Sequence, residues 1–450
     1  MPESRRETKS RILTWICIAV LTGLCLTQYL GISALNIFFT GCVGCCMLLS
    51  GTPEDAALLL FISLPMFNLF NANIGSTSMY YLFIIVFWFK YFRYYKWNFN
   101  RAKLLVLLGF LAIRLTAGDI AATAKWFLLF SVLVLTYKEE CMAGRQLRKI
   151  VFYLSITFII ASLFGYMMLI GGRSIYLRGH IYNNGVTTIR FAGLIGDSVF
   201  FSQFCALLVG ANLTLGCYHK RYLPAGVLLS GIITYFCLLS YSKTGLLIII
   251  AEVIVYVFWL LWKSPKTKSA LLFSLFCTVA FGAAVLFFVN YLLAGRTSRF
   301  IQNYLIRFAS SDLLTGRLDV WNHYIDLMLS SWRTLFIAMP QSVYGANFTL
   351  YRGHTLNRAH NILIETICAF GCIATLFILI WLAFLMADSI RKHDGLLNLI
   401  PIGIILSSGM MLHGHFDFHY YFIVAIAVAF LCRKNKGTCR SEAERGGRNG

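Results

Sequence analysis

Four basic residues in the second half of the chain have the types needed to act on a phosphorylated substrate. They are Arg190, Lys243, Arg317 and His360, in the segments TTIRFAGLIGDS, LLSYSKTGLLI, TGRLDVWNHYI and RAHNILIETICAFG. Cationic side chains stabilise the charge that develops on a phosphate leaving group. A histidine accepts a proton near neutral pH, as a sugar hydroxyl requires when it becomes a nucleophile. The four residues together predict group transfer from a phosphorylated donor.

Five more polar residues are candidates for supporting roles. Asn361, His354 and Arg358 lie beside His360, whereas Arg114 and Lys125 flank Asp119 near the ends of two predicted spans. Arg114 and Lys125 either line the same cavity or pair with one another, because ionisable groups at membrane depth need partners. His360 taken alone is also compatible with a helix-start residue that only bonds its loop.

The composition excludes a soluble enzyme. Of 450 residues, 59% are hydrophobic and 13% are charged, whereas about 25% charged residues is usual for a soluble domain. The net charge of +21 fits basic cytoplasmic loops of a membrane protein better than a nucleic-acid partner.

Apolar runs long enough to cross a bilayer predict an all-α polytopic membrane protein with about 12 to 14 transmembrane helices. The runs lie near 11–30, 32–50, 55–71, 77–92, 103–118, 120–137, 150–170, 192–215, 221–239, 244–262, 270–294, 360–387, 396–412 and 417–432. Lysine and arginine recur in every second loop, which predicts cytoplasmic termini. No cleavable signal peptide is expected, because the first run reads as a signal anchor.

The expected organisation follows from these runs. It comprises N-terminal transmembrane helices 1–170, an outer arginine-bearing loop 171–191, central transmembrane helices 192–294, an extracytoplasmic loop 295–359, C-terminal transmembrane helices 360–432 and a disordered cytoplasmic tail 433–450.

The two outer loops carry ten arginines and no lysine. Guanidinium groups match phosphate oxygens in pairs, which predicts a phosphate-binding outer face, although any one arginine also suits a lipid headgroup. Segments 298–309 and 316–330 have amphipathic helical patterns and predict a helical lid over the transmembrane body. In the second segment the apolar face contains Trp321, Tyr324, Ile325 and Met328.

No metal or other cofactor is expected. The cluster HGHFDFH, with His413, His415, Asp417 and His419, has metal-ligand residue types, but its spacing matches no familiar site. The chain also has no phosphate-binding loop of the GxxxxGK[ST] type.

Taken in order, the four segments around Arg190, Lys243, Arg317 and His360 resemble the O-antigen ligase and polymerase superfamily, over about residues 190–370. The resemblance implies a metal-independent membrane glycosyltransferase that inverts the anomeric centre, using glycans on undecaprenyl pyrophosphate. Arg190, Lys243 and Arg317 would then contact the pyrophosphate, and His360 would orient or deprotonate the acceptor. Two departures are Lys243, where arginine is usual, and SVYGAN in place of a glycine-rich turn.

The resemblance leaves two activities open. The GDS element after Arg190 favours a polymerase of O-antigen, capsular or exopolysaccharide repeat units, while ligation to lipid A–core is the near alternative. A transporter or flippase of lipid-linked glycan is the alternative from another class. Such proteins tend to have internal repeats and helices broken at mid-membrane, whereas the polar residues of this sequence concentrate on one face. The expected location is the bacterial cytoplasmic (inner) membrane with an extracytoplasmic active site. Expected partners are the lipid-linked donor, the acceptor glycan or lipid A–core, membrane lipids and a chain-length regulator protein, without nucleic acid.

Overall fold

The structure, a computed structural model, describes most of the apolar segments of the chain. The described residues are 3–32, 34–70, 78–95, 100–171, 180–183, 186–263, 317–340, 343, 348–349, 355–356, 359–391, 395–410 and 417–433. The predicted span 270–294, the predicted helix 298–309 and the tail after Arg433 lie outside these residues.

Helices dominate the described residues. The α-helices are α1 (Glu3–Leu30), α2 (Ala34–Leu49), α3 (Pro53–Ser63), α4 (Tyr80–Tyr94), α5 (Arg101–Leu115), α6 (Ile120–Thr136), α7 (Gly144–Ile170), α8 (Ser198–Tyr218), α9 (Leu223–Leu239), α10 (Lys243–Lys263), α11 (Arg317–Leu329), α12 (Trp332–Phe336), α13 (Ile362–Arg391), α14 (Gly395–Gly409) and α15 (Tyr420–Leu431). Two 3-10 helices span Leu64–Phe70 and Glu140–Met142. Two short antiparallel hairpins pair β1 (His180–Asn183) with β2 (Val186–Ile189), and β3 (Phe348–Thr349) with β4 (Thr355–Leu356).

Five helical segments among the described residues are long and apolar enough to cross a membrane. They are Arg6–Leu30, Pro53–Phe70, Gly144–Ile170, Ser198–Tyr218 and Ile362–Arg391. Shorter apolar helices accompany them, namely Ala34–Leu49, Ile120–Thr136, Leu223–Leu239, Leu396–Gly409 and Tyr420–Leu431. These helices confirm the predicted all-α polytopic membrane fold.

The eighth predicted span, 192–215, begins later than its hydropathy suggests. Gly193 and Gly196 have φ angles of 56° and 88°, in the left-handed region that glycine tolerates, so this segment is a turn. Asp197 then caps α8 by accepting hydrogen bonds from the amides of Val199 (2.7 Å) and Phe200 (3.2 Å). Residues 193–197, GLIGD, therefore lead into the helix and are not part of it.

The chain divides into two compact units. One contains Met1–Ile175, Gly193–Ile195 and Gly316–Gly450, and is called the main unit below. The other contains Tyr176–Ala192 and Gly196–Thr315, and is called the inserted unit.

The main unit has an aromatic core. In it α6 packs against α15, and α13 packs against α5, α12 and α14. Trp126, whose side chain is fully buried, donates its indole N–H to the Tyr421 hydroxyl and stacks on Phe130. Trp126 also contacts Phe370 of α13. Aromatic side chains thus join α6, α13 and α15.

The inserted unit is organised by α8, which packs against both α9 and α10. Most of α8 is buried, including the polar residues Asn212 and Thr214. Their side chains are satisfied within the unit, because Tyr222 bonds to Asn212, and Tyr256 of α10 bonds to Thr214. The turn between α9 and α10 belongs to the candidate site.

Candidate functional site

Arg190 is fixed against the end of α9. Its Nε donates a 3.0 Å hydrogen bond to the Ser240 carbonyl, and the Phe191 amide donates a 3.0 Å bond to the Leu239 carbonyl. The last carbonyls of a helix accept no hydrogen bond from within that helix, so they are available to donors outside it. The segment after β2 therefore holds Arg190 beside the turn that leads to Lys243. Arg190 is half-buried.

The turn before Lys243 has an unusual backbone. Tyr241 has a φ of 50°, a left-handed conformation that is rare for a bulky side chain. Ser242 follows and caps α10, because its hydroxyl accepts a 3.2 Å bond from the Gly245 amide. Lys243 is the first residue of α10 and is half-buried. The turn therefore places a cation at the amino end of a helix, where the helix dipole also favours an anion.

Gly245 is required by the packing of α10 on α8. A Cβ at this position would lie 2.5 Å from Cβ of Ser202. The Ser202 hydroxyl donates a 2.8 Å bond to the Ser242 hydroxyl, which joins α8 to the same turn. The segment SYSKTG thus positions Lys243 through a strained turn, a cap and a close helix contact.

His360 is held in a comparable way in the main unit. Its φ is 50°, and it directly precedes the capping residue of α13. The buried Asn361 side chain accepts bonds from the amides of Leu363 (3.0 Å) and Ile364 (3.2 Å). Strained backbone persists only where surrounding contacts enforce it, and it is common at functional sites. His360 itself is half-buried.

Arg317 and His360 are attached to one hydrophobic cluster. Arg317 begins α11, and is followed by the buried residues Val320, Tyr324 and Met328. The cluster is completed by Met339, Ala359, Ile364 and Cys368. Ala359 precedes His360, and Val320 lies three residues after Arg317, so the main unit brings these two ends close to a common core.

The second predicted amphipathic helix, 316–330, is confirmed as α11, and its role as a lid stays a prediction. Its predicted apolar face is correct for Tyr324 and Met328, while Trp321 is partly buried against the cluster. Ile325, in contrast, is exposed, and Val320 takes its place in the core. The exposed side of α11 is mixed, because Leu318 and Leu329 are more than half exposed and Asp319 and Asp326 are exposed as well.

Arg114 and Lys125 differ in their surroundings. Arg114 is fully buried in the last turn of α5, and its Nη1 donates a 3.1 Å bond to the Ala369 carbonyl of α13. Lys125 is half-buried on α6. Asp119, predicted to lie between them, caps α6 by accepting a 2.9 Å bond from the Ala122 amide. His354 and Arg358 lie outside the described residues.

Among the described residues no group of three His, Cys, Asp or Glu side chains is arranged to hold a metal ion. In the HGHFDFH cluster only Asp417 and His419 belong to the described part of the chain, and His419 is buried. His413 and His415 lie outside it.

The predicted residues thus lie in two places within a polytopic membrane protein. Arg190 and Lys243 adjoin one turn of the inserted unit, and Arg317 and His360 each lie next in sequence to, or one helical turn from, residues of the hydrophobic cluster in the main unit. Comparison with known proteins agrees with this reading, since residues 227–379, roughly a third of the chain, match the family model described as O-antigen ligase. The match confirms the predicted resemblance to the O-antigen ligase and polymerase superfamily, whose members are glycosyltransferase-like enzymes. No curated protein matches the chain.

Several positioning features have only a weak signal in the sequence. The left-handed conformations of Tyr241 and His360 have none, because neither residue type demands that backbone. Gly245 is visible only as a glycine in an apolar helix, which often marks a close approach between chains. The bond from Arg114 to the Ala369 carbonyl joins residues 255 positions apart.

Proposed function

We propose that this protein polymerises lipid-linked oligosaccharide repeat units of an O-antigen, capsule or exopolysaccharide at the outer face of the bacterial cytoplasmic membrane. The donor is a glycan on undecaprenyl pyrophosphate, and the transfer needs no metal. The observation that carries the proposal is that Lys243, Arg317 and His360 all lie within the segment matched by the family model, 227–379.

In the proposed reaction, Arg190, Lys243 and Arg317 bind the donor pyrophosphate. The acceptor hydroxyl oxygen attacks the anomeric carbon as the bond from that carbon to the phosphate oxygen breaks. The bonding electrons pass to the pyrophosphate, whose growing charge the three cations stabilise. His360 takes the proton of the attacking hydroxyl and later releases it to solvent. The products are an inverted glycosidic bond and undecaprenyl pyrophosphate.

The positions of the cations support their proposed role. Lys243 combines its own charge with the amino end of α10, and Arg190 is held beside the same turn. A guanidinium has five N–H donors, so Arg190 can hold the turn through Nε and contribute to phosphate binding through its other nitrogens. Asn361 supports His360 by capping the helix that follows it.

Ligation of the glycan to lipid A–core is the second candidate, because the matching family is described as O-antigen ligase. Both reactions use the same donor and the same chemistry, and differ only in the acceptor. A transporter of lipid-linked glycan is the candidate from a different class, and it would form no glycosidic bond.

The purified protein in nanodiscs distinguishes these candidates. It is incubated with an undecaprenyl-pyrophosphate-linked repeat unit, with or without lipid A–core, and the products are separated by gel and identified by mass spectrometry. A polymerase lengthens the glycan in steps from the repeat unit alone. A ligase forms product only when lipid A–core is added, and absence of any new bond in both reactions contradicts the enzyme proposal.

Deletion of the gene provides the test in cells, in the presence of natural partners such as a chain-length regulator. Loss of a polymerase leaves surface core that carries one repeat unit, whereas loss of a ligase leaves bare core and long lipid-linked chains. Units retained on the cytoplasmic leaflet would instead indicate a flippase.

A further inference from the structure

The long helix α13 is broken inside the membrane-length segment. Gly371 has φ 79° and ψ 167°, which are not helical values. A Cβ at this position would lie 2.2 Å from the Phe336 carbonyl oxygen at the end of α12. Only glycine therefore fits, for reasons of both backbone conformation and space. The break separates a first segment, Ile362–Phe370, from the rest of α13.

The break leaves carbonyl groups at the end of the first segment without helical partners. Two outside donors meet them. The Met339 amide donates a 2.8 Å bond to the Cys368 carbonyl, and Nη1 of Arg114 donates a 3.1 Å bond to the Ala369 carbonyl. In an apolar environment each carbonyl left without a donor is costly, so both bonds hold the break in place.

Arg114 is unusual for an arginine because its side chain has no exposure to solvent. Its side chain is fully buried, and so is that of Glu365 on the first segment of α13. An arginine in a buried position requires compensating groups, and the Ala369 carbonyl at the end of the first segment of α13 provides one.

The same segment of α13 carries the proposed catalytic base. His360 and Asn361 stand at its amino end, and Arg114 with Met339 holds its carboxyl end. The helix α12 is also bonded to the chain just after α5, because Nη2 of Arg333 donates a 3.1 Å hydrogen bond to the Thr116 carbonyl. Thr116 lies two residues after Arg114, so the end of α5 contacts both the broken helix and α12.

We infer that Arg114 is a positioning residue for glycosyl transfer. By bonding to the Ala369 carbonyl it fixes the first segment of α13, and through that segment it sets the location of the His360 imidazole. It does not bind the donor. This inference rests on the proposed function for its catalytic consequence, whereas the contact between Arg114 and α13 is independent of the reaction.

Kinetics separate a positioning role from donor binding. We expect Arg114→Met to lower the turnover number on the order of 100-fold, because small misplacements of a catalytic group have effects of that size. The KM for the donor should stay within a factor of about two, since KM reports mainly ground-state binding. Arg114→Lys should recover part of the turnover, because an ammonium can still donate to the Ala369 carbonyl.

The matched control is Arg101→Met, which removes an exposed arginine at the start of the same helix. It should have wild-type turnover and KM. If Arg114→Met instead raises the donor KM as Lys243→Ala does, Arg114 contacts substrate and the inference is wrong. The inference is equally wrong if Arg114→Met behaves like the control.

Hydrogen exchange tests the contact without any assay of activity. In nanodiscs the Met339 amide should exchange faster in Arg114→Met than in wild type, while peptides of α1 and α8 remain unchanged. Unchanged protection of Met339 would overturn the inference even if activity fell. If the wild type forms no glycosidic bond, the proposed function fails, and hydrogen exchange still decides whether Arg114 holds the broken helix against the chain after α12. If Arg114→Met does not accumulate, the same measurements are made with Arg114→Lys, for which smaller changes in the same direction are expected.

Discussion

Arg190 Nε donates a 3.0 Å hydrogen bond to the carbonyl of Ser240, three residues before Lys243. Two cations that are 53 positions apart in the sequence are thereby tied to one turn. This bond holds the Arg190 side chain against the turn, and the positive charge of its guanidinium group stays beside that turn. The two predicted phosphate ligands of the inserted unit are therefore a coupled pair.

The substitution Arg190→Lys should reduce activity although it keeps the charge. One ammonium cannot reproduce the fork that holds the Ser240 carbonyl and presents further donors to phosphate. Loss of a charged hydrogen bond of about 1.5–3 kcal/mol corresponds to a decrease in kcat/KM of roughly 10- to 100-fold. Steady-state kinetics with lipid-linked donor measure this, and Arg221→Lys on an exposed loop is the control. Equal rates for wild type and Arg190→Lys would contradict the role.

At position 243 charge should matter more than shape. Lys243→Arg should retain activity, because arginine is usual at this position in the family that the sequence resembles. A guanidinium group also binds phosphate through two parallel N–H···O hydrogen bonds. Lys243→Ala should lose most activity, mainly through a higher KM for the donor. Lys220→Ala, at an exposed position of the same unit, is expected to match wild type. Equal activity of Lys243→Arg and Lys243→Ala would show that no phosphate is bound there.

The substitution His360→Asn is the best test of whether the His360 imidazole acts as a base. Asparagine tolerates the φ of 50° found at this position but cannot act as a base at neutral pH. We expect His360→Asn to lower turnover by about 100- to 10,000-fold, the usual contribution of general base catalysis. The amount of protein in the membrane should be unchanged. His219→Asn serves as the control, and glycan of normal length and amount from His360→Asn would remove His360 from the catalytic role.

A methyl group at position 245 should disturb the turn that carries Lys243. Gly245→Ala places Cβ against Ser202, and overpacking of this kind costs about 1–3 kcal/mol. The thermal midpoint in detergent, followed by reaction of a dye with the buried cysteines, should fall by several degrees. Gly231→Ala is the matched control, because its Cβ meets nothing within 4 Å. Ser202→Gly should partly restore Gly245→Ala, and failure to do so would place the clash elsewhere.

The sequence predicts the helices well because long apolar runs have few other possible structures in a membrane. The runs 11–30, 120–137 and 221–239 agree with α1, α6 and α9 to within a few residues, apart from the longer amino end of α1. The start of α8 is predicted too early because GLIG is apolar enough to extend the run, whereas the left-handed glycines are a property of the backbone.

Contacts between residues that are distant in the sequence cannot be predicted from hydropathy. The types of Arg190 and Lys243 indicate phosphate chemistry, but only the fold shows that Ser240 joins them. The break at Gly371 is likewise hidden in the apolar run 360–387, because a glycine within such a run has several meanings. Arg114 is recognisable from sequence as an ionisable residue near a span, and its partner, a backbone carbonyl, leaves no trace in the residue types.

The break in α13 also has a mechanical consequence. Stiffness along a helix comes from successive backbone hydrogen bonds, and here those at the end of the first nine residues are redirected to α5 and to the chain after α12. The short piece that follows His360 is therefore hydrogen-bonded to its neighbours, and its helical backbone is interrupted before the remaining twenty residues, Cys372–Arg391. We expect tilting of those twenty residues in a thicker or thinner bilayer to be taken up at Gly371, so that the position of His360 changes little.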